Sequence, residues 1–112
     1  MMFRNVNENH SHSLQTLNMF YEYDDFMESI QSVIDLGCGD GLDLEWWATR
    51  TTRDDVPVPL DIRCTGVDLF DQFPMAKKHR NIRYQQVDFE ADIAFNAEKL
   101  YDVAWCHNAF QY

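Results

Sequence analysis

A short apolar run that leads into a glycine-rich loop is the feature that most constrains how this chain can fold. Residues 33–36 are typical of a buried strand, and glycine then occupies every second position in residues 37–41. Residues 42–48 follow with helical character and with acids in the first turn, where a helix dipole favours them. In α/β folds this order brings backbone N–H groups up to a ligand, and glycine avoids the collision that a Cβ would make there.

Strand and helix patterns alternate along the rest of the chain. Helical spacing of apolar residues begins at Ser13, whereas Pro57 and Pro59 exclude a helix from a long surface loop at residues 49–61. Further strands are expected at residues 62–68, 82–87 and 101–107, and helices or helical turns at residues 71–80 and 93–99. The prediction is a three-layer α/β/α fold with a mainly parallel sheet and right-handed crossovers.

Composition narrows the class of protein. The chain has 112 residues, enough for one small domain, and its 19 acids against 9 Lys and Arg give a formal net charge of −10. Such a surface repels polyanions, which disfavours DNA as a partner. The three cysteines show no C-x-x-C spacing, so reduced thiols in an intracellular protein are expected.

The sequence shows no membrane segment, no signal peptide and no metal-binding pattern in its N-terminal tail. No stretch approaches the ~18 consecutive apolar residues of a membrane helix, and no signal peptide opens the chain, so no membrane partner is expected. The expected location is the cytoplasm, that of the host if the chain is viral. Residues 1–12 are predicted to form a flexible tail and residues 13–112 the folded domain. His10 and His12 lie in that polar tail, where histidines are usually solvent-exposed, so no metal site is predicted.

Acids stand at the ends of three successive predicted strands, at Asp35, Asp68 and Asp88. In open parallel sheets, ligands bind beyond the carboxyl ends of the strands, near the switch in strand order. An acidic site suits a cationic ligand, and it suits a pyrophosphate poorly. The dinucleotide fingerprint G-x-G-x-x-G would also require glycine where this chain has Leu42, which disfavours a nicotinamide-dependent oxidoreductase.

The pattern Asp35-x-Gly37-x-Gly39-x-Gly41 resembles the first motif of the class I S-adenosylmethionine-dependent methyltransferases. Residues 101–107 look like the fourth motif of the small-molecule and RNA- or protein-modifying branches of that family. The resemblance covers residues 31–112, about the first half of the complete fold. It implies a Rossmann-like α/β fold, truncated to about four strands in the order 3-2-1-4, with an exposed edge at strand four.

The same resemblance implies S-adenosylmethionine as cofactor and S-adenosylhomocysteine as product. Asp35 is expected to hold the methionine ammonium, while Gly37 and Gly39 line the methionine and ribose part. A carboxylate can accept both ribose hydroxyls, and the resemblance assigns this role to Asp68. The complete set of expected cofactor-binding residues is Asp35, Gly37, Cys38, Gly39, Gly41, Asp68, Leu69, Asp88, Phe89 and Cys106.

Two members of that set are expected at the adenine. Asp88 matches the family acid that contacts the adenine amino group, and Phe89 would supply a backbone N–H or a ring contact. In the family an N-terminal helix often helps to close the cofactor pocket. Tyr21 or Tyr23 would be placed to do so, although core packing is the favoured interpretation of each.

The sequence indicates candidate catalytic residues less clearly than cofactor-binding residues. Methyl transfer needs mainly in-line positioning of acceptor and sulfonium, and a base is needed only if the acceptor must lose a proton. His107 is the candidate for such a base. The acceptor, whether a small molecule, a protein or an RNA, stays open.

Three other interpretations remain open beside an active methyltransferase. One is a catalytically inactive, truncated binding protein of the same fold that needs a homodimer or a partner chain to complete it and to cover the open sheet edge. The disfavoured nicotinamide-dependent oxidoreductase is a second. The third is an α/β domain whose glycine loop is only a tight turn.

Overall fold

A computed structural model describes residues 14–19, 21, 28–88 and 101–106 of the chain. Its strands are β1 (Ser32–Leu36), β2 (Arg63–Asp68), β3 (Ile82–Gln86) and β4 (Val103–Trp105). Helix α1 includes residues 14–19 and Tyr21, and it is followed by α2 (Leu42–Ala48) and α3 (Met75–Lys78). The four strands form one sheet in the order β3-β2-β1-β4, and every pairing is parallel. The predicted Rossmann-like α/β class and the 3-2-1-4 order are confirmed.

Side chains of the strands alternate between two apolar clusters, as the period of two requires. Val33, Cys64 and Ile82 belong to the larger cluster, which also contains the buried side chains of α1 and α2. Ile34 and Val67 belong to a smaller cluster with Val87, on the opposite face. The described helices therefore pack on one face of the sheet.

Strand register decides which side chains surround the carboxyl end of β1. Asp35 is the Cα partner of Gly66 in β2 and of Trp105 in β4. Residues aligned in this way lie about 5 Å apart on the same face of a sheet. Asp35 therefore lies between Gly66 of β2, which has no side chain, and the indole of Trp105 in β4. It also lies beside the switch in strand order, between β1 and β4.

β4 and α3 are several residues shorter than predicted, whereas β2 and β3 are each one residue shorter. β4 begins only at Val103. Just before it, the Asp102 carboxylate accepts hydrogen bonds from Gln31 N (2.7 Å) and Ser32 N (3.2 Å), so the start of β1 is bound there by a side chain and not by the backbone of β4. α3 begins after Pro74 and ends at an extended His79 (φ −130°, ψ 127°). The side chain of that histidine turns towards α2, as the ion pair described below shows.

The segment between α2 and β2 forms the expected surface loop. An isolated antiparallel bridge joins Thr51 to Pro59, and Thr52 N donates to Val58 O at 2.9 Å. Residues 53–59 of this loop are exposed. The two prolines thus fall where no helical hydrogen bond is required.

Helix α1 contacts the carboxyl end of α2, at the end of that helix opposite the glycine loop. The Tyr21 hydroxyl donates to Thr51 O at 3.2 Å, and the ring meets the Trp46 ring edge-on at 6.3 Å. The Arg50 guanidinium lies 4.0 Å from the centroid of Trp46 and 5.3 Å from that of Tyr21. Tyr21 is therefore a partly buried side chain packed against the core, in line with the favoured interpretation, and Tyr23 lies outside the described residues.

Other sequence predictions also fall outside the described residues. They are the tail at 1–12, with His10 and His12, and the helix or turn at 93–99; the domain boundary stays a prediction. Within the described part of the chain, no helix is long and apolar enough to cross a membrane.

Candidate functional site

The glycine loop connects β1 to α2 with a backbone that only glycine adopts readily. Gly37, Gly39 and Gly41 have φ of 75°, 57° and 90°, all in the left-handed region. Gly37 N and Cys38 N both donate to Val67 O, at 2.7 and 3.1 Å, which fastens the loop to the end of β2. The alternation of glycines seen in the sequence is therefore required by the backbone at all three positions.

The surroundings of the loop glycines differ. A Cβ added at Gly39 would meet no atom within 4 Å, so this part of the loop faces open space. A Cβ at Gly41 would lie 2.5 Å from Phe73 Cζ and 3.2 Å from Met75 Cβ. Gly39 leaves room for a ligand against the backbone, whereas Gly41 makes room for the core.

The Cys38 side chain points into the core. Its Sγ lies 2.8 Å from the position that a Cβ on Gly66 would occupy, and burial raises the pKa of the thiol well above its usual range. Only the backbone of Cys38 is available at the ligand side of the loop. Gly66 itself was not identified as a site residue, although a glycine inside a strand is a known signal of close backbone approach.

Asp68 joins the end of β2 to the glycine loop. Its Oδ2 accepts a hydrogen bond from Gly39 N at 2.8 Å, and its Oδ1 accepts one from Leu69 N at 2.7 Å. Each carboxylate oxygen has two lone-pair sites, so each retains one for a further donor. The carboxylate is thereby oriented at the loop while still able to accept two hydroxyl groups.

Asp35 is a buried carboxyl group with only 3% of its surface exposed. Burial, and then the charges of Asp43 and Asp68, raise its pKa from 3.8 to about 8. The described part of the chain supplies no hydrogen-bond donor to this carboxyl group. A cation that entered here would find a buried group whose ionised form it stabilises.

A contact between α2 and β4 completes this side of the site. Trp105 Nε1 donates to Asp43 Oδ2 at 3.1 Å, which links the first turn of α2 to the last residue of β4. The sequence shows Asp43 as a first-turn acid and Trp105 as a strand residue, 62 positions apart. Their contact depends on the strand order and could not be read from either segment.

The segment after β2 is fastened by side chains of β3. The Tyr84 hydroxyl donates to Phe70 O at 2.5 Å, and Gln86 Nε2 donates to Leu69 O at 2.9 Å. Leu69 and Phe70 are more than half exposed, although both are large and apolar. They form an apolar surface next to Asp68. Tyr84 and Gln86 are further residues of this edge that sequence reasoning missed.

The remaining predicted residues fall into two groups. Asp88 is exposed and comes directly after Val87, whose N–H donates to Asp68 O at 2.8 Å, so it lies at the same edge of the sheet. Cys106 is exposed and directly follows β4. Phe89 and His107 lie outside the described residues. Within the described ranges, no group of three or more His, Cys, Asp or Glu side chains is placed to hold a metal ion.

Comparison with known proteins gives one match. A family model described as a methyltransferase domain matches residues 34–112. Searches of curated proteins and of solved structures found no match. The matched range begins inside β1 and includes the glycine loop, Asp68 and β4, so it contains the site described above.

Proposed function

The chain belongs to the class I S-adenosylmethionine-dependent methyltransferase family, and from this membership we propose that it binds S-adenosylmethionine and transfers the methyl group to an acceptor. The cofactor would lie across the carboxyl ends of β1, β2 and β4. Members of this family generally bind S-adenosylmethionine. The chemistry that the cofactor supplies when bound is an electrophilic methyl group on a sulfonium.

The observation that carries the proposal is the meeting of Asp35, Gly39 and Asp68 at one edge of the sheet. Asp35 is a buried acid to which the described residues supply no hydrogen-bond donor, and this suits an ammonium group. Gly39 leaves open space over its backbone, and Asp68 retains two acceptor positions while bound to that backbone at 2.8 Å. A ligand with an ammonium at one end and vicinal hydroxyls nearby fits this set of groups.

Each residue then has a stated role. Asp35 holds the methionine ammonium, the backbone at Gly37, Cys38 and Gly39 lines the methionine and ribose, and Asp68 accepts the ribose hydroxyls. Gly41 shapes the loop from within the core. These residues bind and orient, which is most of what methyl transfer asks of a protein.

The remaining predicted residues have proposed roles at the adenine, at the reacting end of the cofactor and towards the acceptor. We propose that Leu69 and Phe89 contact the adenine, that Asp88 accepts from its amino group, and that Cys106 borders the reacting end. His107 is the proposed base for an acceptor that must lose a proton. The acceptor is a small molecule, a protein or an RNA, and the net charge of −10 disfavours DNA.

Calorimetric titration with S-adenosylhomocysteine, with NADH as control ligand, tests the proposal. We expect micromolar binding of the first and none of the second. Asp68→Ala removes two charge-assisted acceptor positions, worth about 3 kcal/mol together, so affinity should fall about 100-fold or more. Asp54→Ala, an exposed acid of the loop before β2, is the matched control and should bind normally.

A stability measurement must accompany that variant, because the Asp68 carboxylate also links Gly39 N to Leu69 N. Thermal unfolding of Asp68→Ala establishes that the variant is folded at the titration temperature. Failure of the folded wild-type chain to bind S-adenosylhomocysteine would contradict the proposal. Unchanged affinity in folded Asp68→Ala would contradict the ribose assignment.

Partners and location are part of the same proposal. β4 pairs with β1 along one side, and within the described residues no strand pairs with its other side. We propose that a homodimer or a partner chain covers this edge, which light scattering on the purified chain tests by mass. The cysteine spacing supports a cytoplasmic location, because it lacks the pattern of a disulfide framework or a C-x-x-C motif.

The alternative of an inactive binding protein predicts cofactor binding without methyl transfer. Loss of the methyl group from bound S-adenosylmethionine in the presence of candidate acceptors separates the two.

A further inference from the structure

Three consecutive carbonyl oxygens at the end of β2 accept hydrogen bonds from β3 and from the residue after it. The bonds run from Val87 N to Asp68 O at 2.8 Å, from Gln86 Nε2 to Leu69 O at 2.9 Å and from the Tyr84 hydroxyl to Phe70 O at 2.5 Å. The first bond continues the sheet, whereas the other two come from side chains that share one face of β3. Residues 68–70 are therefore held in place at three successive peptide groups.

The Tyr84 side chain is itself fixed by the core. Its ring stacks on Phe73, with 4.7 Å between the centroids and 14° between the planes. Phe73 is buried, and its Cζ lies 2.5 Å from the place that a Cβ on Gly41 would take. Partial burial is the first cause that raises the pKa of Tyr84 from 10.0 to about 12, so its hydroxyl keeps its proton and remains a donor well beyond neutral pH. Contacts thus run from the glycine loop through Phe73 and Tyr84 to Phe70 O.

The side chains of Leu69 and Phe70 are exposed although their backbone is held. They are 55% and 56% exposed, and neither belongs to the two apolar clusters of the described residues. Asp68 precedes them, and each of its carboxylate oxygens retains one lone-pair site. Small-molecule sites combine apolar side chains with a few precisely placed polar groups. A ligand whose hydroxyl groups bind Asp68 therefore meets an apolar surface next to those hydroxyls.

In the proposed function Asp68 binds the ribose, and the ribose carries the adenine. Building on that function, we propose that Tyr84 and Gln86 are positioning residues that hold the Leu69–Phe70 segment as an apolar wall for the adenine. They act through backbone carbonyl groups and not by touching the reacting atoms. A segment that is already held in its binding conformation loses less conformational freedom when the ligand arrives, so the affinity for the adenine part is higher.

The contribution of the adenine is measured by comparing two ligands. S-adenosylhomocysteine and S-ribosylhomocysteine share the homocysteine and the ribose, and the second has a hydroxyl group in place of the adenine. Calorimetric titration, with the weaker ligand measured by displacement, gives the ratio of the dissociation constant of S-ribosylhomocysteine to that of S-adenosylhomocysteine. A residue that only supports the fold changes both constants equally, whereas a residue that positions the adenine wall changes the ratio.

Two variants remove the two side-chain donors one at a time. Tyr84→Phe removes the hydroxyl and keeps the ring that stacks on Phe73. Gln86→Met removes the amide and keeps a side chain of similar length. Each variant should lower the ratio about three- to tenfold, the range expected for one lost hydrogen bond. Because the two side chains bind different carbonyl groups, either variant tests the role if the other does not fold.

Matched controls remove the same chemical groups elsewhere on the sheet. Tyr101→Phe removes a hydroxyl that donates to Thr65 Oγ1 at 3.3 Å, on the face opposite the described helices. Gln85→Met removes an exposed amide on the other face of β3 from Gln86. Both controls should leave the ratio unchanged. Thermal unfolding of all four variants shows that the ratios are compared between folded proteins.

The possible results separate this inference from the function on which it rests. Unchanged ratios in folded Tyr84→Phe and Gln86→Met, including equal weakening of both ligands, would overturn the positioning role. A wild-type ratio near one would overturn it as well, because the adenine would then contribute no affinity. If the folded wild-type chain does not bind S-adenosylhomocysteine, the proposed function itself fails and the positioning role fails with it. If that ligand binds and only the ratios are unaffected, the function stands and the positioning role alone is wrong.

Discussion

Gly39 and Gly41 share a left-handed backbone but meet different surroundings. The positive φ imposes a cost on any residue with a Cβ, about 1–2 kcal/mol at each position. Only at Gly41 would the Cβ also enter occupied volume, 2.5 Å from Phe73 Cζ. Gly41 is thus needed both for its left-handed backbone and because a Cβ would collide with the core. Gly39 is needed for its left-handed backbone and also leaves space above the loop.

This difference predicts opposite outcomes for two matched substitutions. Gly41→Ala should lower the free energy of unfolding by about 2–4 kcal/mol, the sum of backbone strain and overpacking. Gly39→Ala should lower it by about 1–2 kcal/mol and should weaken S-adenosylhomocysteine more strongly than its stability loss explains. Urea unfolding and calorimetric titration of both variants measure the two effects. Equal effects of the two variants on stability would contradict the packing argument.

Asp35 combines burial with two acidic neighbours, and this makes stability depend on pH. Its folded-state pKa of about 8 lies above the value of 3.8 for an ordinary aspartate. Between these values the native chain holds a proton that the unfolded chain has released, so the free energy of unfolding falls as pH rises. The stabilising contribution of protonated Asp35 to the free energy of unfolding is fully present below about pH 4 and is lost as pH rises through about 8.

Asp35→Asn should remove this dependence. Relative to the wild type, the variant should gain roughly 2–4 kcal/mol of stability between pH 5 and pH 8. Urea unfolding of both proteins at the two pH values gives the difference, in which the titration of the other acids cancels. A difference that does not change with pH would contradict the raised pKa. The same variant should lose affinity for the cofactor, because the amide cannot balance the ammonium charge.

At the scale of elements, side chains fasten together segments that are distant in the chain. Asn81 Nδ2 donates to Ala48 O at 3.0 Å and to Ile62 O at 2.9 Å, which joins α2, β2 and the start of β3. Glu45 of α2 binds Lys78 and His79 at the end of α3, and both contacts lower the pKa of its carboxyl group. These contacts hold the two helices on one face, while the glycine loop is held from the sheet.

β4 is the shortest strand and depends on contacts just before it. The Asp102 carboxylate accepts from Gln31 N and Ser32 N, and Asp102 N donates to Ser32 Oγ at 3.0 Å. This reciprocal arrangement sets the start of β4 against the start of β1. At the other end of β4, Trp105 reaches Asp43, so both ends of the strand are tied by side chains.

Asp102→Ala should therefore weaken the β1–β4 pairing. We expect the free energy of unfolding to fall by about 1–3 kcal/mol, because two backbone donors lose their acceptor. Hydrogen exchange at the amides of Gln31 and Ser32 should accelerate, whereas exchange in β2 should change less. Asp54→Ala is the control, since it removes an exposed acid without this contact. Unchanged exchange at Gln31 and Ser32 would contradict the role of Asp102.

At the scale of the whole molecule, strand order brings the candidate site together. The 3-2-1-4 order places β1 in the interior of the sheet, with the end of β2 on one side and the end of β4 on the other. Positions 35, 39 and 43 belong to one local strand–loop–helix segment, and the sheet brings positions 68 and 105 to them. The acidic site lies in a chain of net charge −10, which favours cationic ligands at long range as well.

The sequence by itself determined the element types, the strand order expected from the family resemblance, and the identity of the glycine loop and of the acids at the strand ends. The element types and the glycine loop follow from short-range physics, namely apolar periodicity, the absence of a Cβ at left-handed positions and the exclusion of helix by proline, whereas the strand order is what the resemblance implies. Residues 42–48 were even assigned the helix limits that the structure has.

Only the tertiary structure decided which residues of the loop and its neighbours pack into the core and which face the open side of the loop. Cys38 turns inward because Gly66 leaves space for its sulfur, Gly41 packs on Phe73, and Asp43 meets Trp105 across the sheet. Each of these contacts depends on the register of strands far apart in the chain. Register is set by the packing of the entire sheet and its helices, and a single segment carries no record of its partner.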